Sequence, residues 1–312
     1  MDQSKMKRKG QINIVLKNTT KHDLTIDEAS VLEEPKHSAY KHIEKELEQF
    51  VGLSSIKHFI KEIYAWIYLN QKRQEAGLKP GKQVLHMVFK GNPGTGKTTV
   101  ARLIAKLFKD MGVLEKGHLI EAERADLVGE YIGHTAQKTR DLIQKAIGGI
   151  LFVDEAYSLA RGGEKDFGKE AIDTLVKAME DQQHSFVLIL AGYPKEMDRF
   201  LQLNPGLPSR FPMKVTFPNY TVDELVLIAK KMIHEREYTV SESAEQTLRQ
   251  LLVDAKQKEY EHFSNGRFIR NLLEKSIRAQ ALRLLEEDDY NRERLMTLSS
   301  RDLRKAYKAS NN

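Results

Sequence analysis

The segment Gly91-Asn92-Pro93-Gly94-Thr95-Gly96-Lys97-Thr98, followed by Thr99, has the residue types and spacing of a phosphate-binding loop. Its glycines let the backbone curl so that successive N–H groups point inward at phosphate oxygens. A predicted helix from Thr98 to Lys109 adds the positive end of its dipole. In this pattern Lys97 reaches the β- and γ-phosphates of a nucleoside triphosphate and the Thr98 hydroxyl binds Mg2+. The alternative is a chance glycine-rich turn. A short apolar strand predicted before the loop and the helix after it argue against that.

The second chemical feature is Gly149-Ile150-Leu151-Phe152-Val153-Asp154-Glu155, a buried strand ending in two carboxylates. In parallel sheets, ligands collect at the carboxyl ends of the strands. Asp154 is placed to hold the magnesium shell, and Glu155 to orient and polarise an attacking water. A water-activating glutamate favours hydrolysis over transfer to a substrate hydroxyl.

The elements that must position these groups follow from periodicity. Ile56, Phe59, Ile60, Ile63 and Ile67 recur at helical intervals. Strands are predicted at Val84 to Phe89, Leu119 to Ala122, Ile150 to Val153, Phe186 to Ala191 and Lys214 to Phe217, with helical stretches between them. That alternation specifies an α/β fold: a five-stranded parallel sheet sandwiched by helices. After Pro218 no further strand is predicted. Val222 to Glu235, Ser243 to Tyr260 and Arg267 to Glu286 read as amphipathic helices of a smaller domain. The expected organisation is a polar, irregular N-terminal extension over residues 1–45 with a short strand at Ile12 to Leu16. A nucleotide-binding domain over 46–218 and a helical domain with a C-terminal tail over 219–312 follow.

Composition narrows the function classes. The 312 residues are 40% hydrophobic and 30% charged, which suits a solvated globular chain. Cysteine is absent, so disulfides, thiol nucleophiles and thiolate metal sites are excluded. No apolar run is long enough to cross a bilayer, and Ile12 to Leu16 is too short for a signal-peptide core. The expected location is the cytoplasm, with no membrane partner. The net charge of +6 comes from basic residues interspersed with acidic ones, and no aromatic–basic interleaved stretch stands out. A nucleic-acid partner is therefore not expected.

With both motifs in place, the sequence resembles the AAA+ ATPases from about Glu48 to Glu286. Within that family it more closely resembles the branch holding red-type rubisco activases and the stage V sporulation protein K group of spore formers. Asp154-Glu155-Ala156-Tyr157-Ser158-Leu159, Ala191-Gly192-Tyr193 and Asn204-Pro205-Gly206-Leu207-Pro208-Ser209-Arg210-Phe211 carry the likeness, and the polar N-terminal extension favours the sporulation group. The resemblance implies a P-loop AAA+ fold with a small α-helical lid, ATP and Mg2+ as ligands, and a homo-oligomeric ring, usually of six subunits. It also implies roles, position by position. Val51-Gly52 corresponds to the segment that cups adenine, against the plainer reading of a helix start. Tyr131-Ile132-Gly133 corresponds to a pore loop whose aromatic residue grips a polypeptide, against a tyrosine packed under a turn. Arg210 corresponds to the arginine finger that enters the neighbouring subunit's site, against an ordinary surface arginine. Arg267, in Asn265-Gly266-Arg267, corresponds to the second sensor, with Arg270 the weaker candidate. The first sensor, often Asn, is not matched by type: either the Tyr193 hydroxyl takes over its role or the sensor is absent.

Three functions remain in view: an ATP-driven remodeller of an unidentified protein client serving spore maturation, a rubisco-activase-like regulator of a metabolic enzyme, and a nucleic-acid motor or loader. A slowly hydrolysing, nucleotide-regulated scaffold is the non-enzymatic counterpart.

Overall fold

A computed structural model describes residues 37–81, 84–131, 133–161, 166–203, 206–259 and 262–309. The strand expected at Ile12 to Leu16 lies outside them. Helix α1 (Ser38–Glu48) begins earlier than the helical pattern read from Ile43, and α2 (Ser54–Glu75) follows.

The sheet is formed by β1 (Met87–Gly91), β2 (Leu119–Ala122), β3 (Ile150–Val153), β4 (Val187–Gly192) and β5 (Met213–Phe217), in the order β2-β3-β4-β1-β5. Every pairing is parallel. Each residue of β3 and β4 is buried, as central strands covered on both faces require, whereas the edge strands β2 and β5 are partly exposed. β1 begins later than Val84 and runs through Gly91, so the first glycine of the phosphate loop is itself a strand residue.

Between the strands run α3 (Lys97–Asp110), α4 (Arg124–Leu127), α5 (His134–Ala146), a 3-10 turn (Ala156–Ala160), α6 (Gly168–Asp181), α7 (Pro194–Gln202) and α8 (Leu207–Arg210). One sheet face sends Val88, Leu151, Val153, Leu188 and Leu190 into a core with Ile143, Leu175, Met179, Phe200 and Phe211 from α5 to α8 and its flank. Strand alternation turns Phe89 and Phe152 to the other face, where their rings meet edge-on at 6.5 Å and α3 crosses β3.

The remainder is helical: α9 (Val222–His234), α10 (Glu242–Lys258), α11 (Asn265–Glu287), α12 (Arg292–Met296) and α13 (Ser300–Lys308). Thr221 with Glu224 and Ser299 with Asp302 form capping boxes that start α9 and α13. The expectation that strands end at Pro218 is corrected. β6 (Thr239–Val240) and β7 (Thr297–Leu298) pair in parallel. Two residues are too few to show an alternating pattern, and their pairing depends on a contact distant in sequence. Gln280 holds this corner, its amide donating to the carbonyls of Arg294, Leu295 and Thr297 at 3.0 Å. Below it, Asp302 is buried and takes two 3.0 Å hydrogen bonds from Arg283. Burial alone raises the Asp302 carboxyl, but the guanidinium and the Ser299 donors outweigh it and hold it below its ordinary range.

Among the described residues no helix is long and apolar enough to cross a membrane.

Candidate active site

Sheet register brings the two sequence motifs together. Val153 pairs with Leu190, and Leu190 with Val88, so β3 ends one strand away from β1 and level with Val88, while β1 continues to Gly91. Asp154 and Glu155 therefore leave the sheet beside the loop that follows Gly91.

The loop's shape depends on absent side chains. A Cβ at Gly91 would lie 2.7 Å from Phe217, and one at Gly94, where φ is +69°, would lie 2.6 Å from the Arg267 nitrogen. The Thr95 side chain is buried and donates to the Asn92 carbonyl at 2.8 Å, tying the loop to itself. Gly96 caps α3 in a left-handed conformation without any side-chain hydrogen bond, leaving the helix N-terminus open to a ligand. Lys97 donates to the carbonyls of Gly91 and Asn92 at 2.8 and 2.9 Å. Burial lowers its pKa, Asp154 and Glu155 pull the other way, and Arg267 adds to the lowering.

Asp154 accepts the Glu155 N–H at 2.9 Å. Glu155 has φ +46°, a left-handed backbone that a branchless carboxylate residue adopts only when its surroundings enforce it. Its carboxylate accepts the Tyr157 hydroxyl hydrogen bond; burial first, and this acid second, push Tyr157 well above the phenolic range. Gly192 makes room for that ring, since a Cβ there would stand 2.7 Å from it. Tyr193 is raised by burial and by Glu155, and its ring stands edge-on to His262 at 5.8 Å.

Lys97, Asp154, Glu155, Gly192 and Tyr193 line a cleft of about 460 Å3, a volume suited to a small ligand. Of the expected site residues, Val51, Gly91, Pro93, Gly94, Gly96, Lys97, Thr98, Thr99, Asp154, Glu155 and Arg267 border it, as do Tyr193 and Arg270. Thr95 turns into the loop's interior, Asn92 turns outward to Asn219, and Gly52 faces Glu224, leaving no room for a Cβ. Arg210 does not border the cleft; it pairs with Glu180 on α6. Tyr131 is also elsewhere, 64% exposed and edge-on to His134 at 5.5 Å, so it is not the packed tyrosine of the alternative reading. Ile132 lies outside the described residues.

Sequence reasoning missed one wall. Gln49 and Phe50 border the cleft with Tyr220, with Ile228, Lys231 and Met232 of α9, and with Glu235 just after it. Lys231 donates to the Gln49 carbonyl at 2.8 Å, joining the two sides. The only signal was the apolar pair Ile228 and Met232, one helical turn apart, which also suits an ordinary amphipathic helix.

Among the described residues no three His, Asp or Glu side chains gather as a metal cage. The donor set of Thr98 and Asp154 in the cleft suits Mg2+, which takes few protein ligands and the oxygens of a bound phosphate chain.

The family model described as "ATPase family associated with various cellular activities (AAA)" matches residues 87–219, and the "AAA lid domain" model matches residues 221–312. The chain belongs to the AAA ATPases. Stage V sporulation protein K of Bacillus subtilis (strain 168) is 65% identical over 305 residues, covering 95% of this chain and 94% of that protein. The chloroplastic ribulose bisphosphate carboxylase/oxygenase activase of Cyanidioschyzon merolae is 46% identical over 237 residues, covering 76% and 80%. Among solved structures, the AAA domain of FIGL-1 in complex with ADP superposes with a TM-score of 0.58 at 17% identity, covering 83% of this chain and 82% of that one. That likeness shows the fold alone. The resemblance read from the sequence motifs is borne out, and with it the five-stranded AAA fold and lid. This AAA ATPase hydrolyses ATP to ADP and phosphate.

Proposed function

We propose that this AAA ATPase assembles as a homo-oligomeric ring, with six subunits as the expected number, and uses ATP hydrolysis to pull on a protein client during spore maturation. The observation that carries the reading is Tyr131, a large, rigid, amphipathic side chain held 64% exposed outside the cleft. Gly133, two residues on, opens α5 with φ at +83°, and a Cβ there would meet nothing within 4 Å.

In this reading Val51, with Gly52 behind it, cups the adenine, and the loop from Gly91 to Thr99 wraps the phosphates. Lys97 leaves the loop carbonyls for the β- and γ-phosphates. Thr98 and Asp154 hold Mg2+, which supplies positive charge to the phosphate oxygens. Glu155 orients the water from a backbone already fixed in its left-handed bend. Arg267 contacts the γ-phosphate from the subunit's own lid. Arg210 stands outside its own cleft, which suits a residue serving the neighbouring one. The cytoplasm remains the expected compartment, and no observation favours a nucleic-acid partner.

The 46% identical activase supports a second reading, a regulator that remodels one metabolic enzyme. The two share Tyr131 and differ in the client. A photo-crosslinking residue in place of Tyr131, in a Glu155→Gln background that keeps ATP bound, tests both. Remodelling predicts ATP-dependent crosslinks to a polypeptide, whose identity separates sporulation from metabolism. Crosslinks that form equally without ATP would remove the pore assignment.

A further inference from the structure

A phosphate-binding loop turns its N–H groups inward, so its carbonyls face away and must find donors elsewhere. Three consecutive carbonyls here take donors from beyond Pro218. Pro93 accepts from the Asn265 side chain at 3.3 Å, Gly94 from the Gly266 N–H at 3.1 Å and Thr95 from the Tyr220 hydroxyl at 3.3 Å. The Asn92 amide donates to Asn219 at 3.0 Å. The loop's outer side is thus bonded to the connection into the lid and to the first turn of α11.

Asn265 is the centre of this network. It is fully buried, with φ at +45°, a conformation that asparagine tolerates better than other side-chain-bearing residues. Its Oδ1 accepts from the Tyr220 N–H at 3.0 Å. Its Nδ2 donates to Asn219 and to the Phe263 carbonyl at 2.8 Å each, with Pro93 as third acceptor. Two hydrogens among three acceptors form a shared arrangement whose balance shifts when any acceptor moves. The chemistry requires both a donor and an acceptor on a short stem: aspartate lacks the hydrogens, and glycine lacks the group.

We propose that Asn265 is a positioning residue that transmits the state of the phosphate loop to the lid. Phosphate drawn onto the loop's N–H groups reorients its carbonyls, which changes the hydrogen bonds Asn265 makes and so the angle at which α11 leaves the loop. By linkage, a lid freed of this connection weakens ATP binding by the same factor by which ATP fails to move the lid. The inference rests on the cleft being the nucleotide site.

The absence of cysteine makes the test direct. Leu78→Cys and Leu285→Cys place one dye three residues past α2 and one on α11, both at exposed positions. The labelled full chain, diluted into unlabelled protein, is titrated with ATP, and energy transfer and affinity are recorded together. Asn265→Gly keeps the left-handed backbone and removes the side chain; Asn265→Asp keeps the shape and acceptor and removes the donors. Both variants are expected to lose the ATP-induced change in transfer and to bind ATP about tenfold more weakly, the equivalent of one to two lost hydrogen bonds. Should either fold poorly, Asn219→Ala interrupts the same network away from the strained residue and must show the same paired loss. Variants that bind ATP like the parent and still move the lid overturn the inference. A parent protein that fails to bind ATP overturns the nucleotide-site reading instead.

Discussion

Arg210 is clasped by Glu180 of its own chain: Nε donates to Oε1 at 2.9 Å, Nη2 joins the same oxygen, and Nη1 donates to the Gly206 carbonyl at 2.9 Å. Neither residue borders the nucleotide cleft. A planar guanidinium held on the outside by a half-exposed acid matches the geometry of phosphoryl oxygens and suits the proposed role in a neighbouring subunit's site.

Arg210→Ala is therefore expected to leave ATP affinity within about threefold of the parent while turnover falls by roughly three orders of magnitude or more. Fluorescent-nucleotide binding and phosphate release, measured on the same preparation, separate the two. A large loss of affinity would mean that Arg210 serves its own cleft.

Glu155→Gln preserves the size and hydrogen-bonding reach of a side chain whose backbone is bent at φ +46°. ATP binding should persist and steady-state hydrolysis should fall about 10²- to 10⁴-fold, the range for losing a positioned base. Near-parental turnover would remove Glu155 from the reaction. Tyr157→Phe, which frees the Glu155 carboxylate of its hydroxyl donor, provides a milder companion.

Gly94→Ala places a methyl group against the Arg267 nitrogen and the Ser264 carbonyl at a residue with φ +69°. The strain is about 1–2 kcal/mol for the backbone alone, and relief requires the lid to back away from the loop. ATP affinity should drop at least tenfold with only a modest fall in melting temperature. An unaltered affinity would show that loop and lid are not in contact in the functional state.

Away from the site, Arg283→Met should cost about 3–5 kcal/mol at neutral pH, because it leaves the Asp302 carboxylate buried without its cation. The parent's Asp302 is held below its ordinary pKa, so its contribution is complete above about pH 3.9 and is lost as pH falls through the lower, folded-state value. Without the guanidinium, burial raises Asp302, so the variant's deficit should narrow as pH approaches 4. Urea melts at several pH values measure this; a deficit independent of pH would contradict it.

Those two residues also mark where sequence reading stops. The phosphate loop was legible because Gly91, Gly94, Gly96, Lys97 and Thr98 fall within eight consecutive residues and each type has a local reason. The strand before Asp154 was legible because a strand buried on both faces is apolar at every position. The lid's side of the cleft was not, since Tyr220 and Lys231 become wall residues only when chain segments far apart fold together. Arg283 and Asp302, the β6–β7 pair and the Asn92–Asn219–Asn265 network share that property. Each is polar or short, and each is specified by a partner distant in sequence.

The measurement that tests the account most directly is subunit mixing. Arg210→Ala and Glu155→Gln proteins are assayed alone and then mixed under conditions that let subunits exchange. In a ring whose sites are shared, a Glu155→Gln subunit lends Arg210 to the intact cleft of an Arg210→Ala neighbour. The account predicts that two inactive proteins regain ATP hydrolysis on mixing. A mixture no more active than its components, although exchange has occurred, would contradict it.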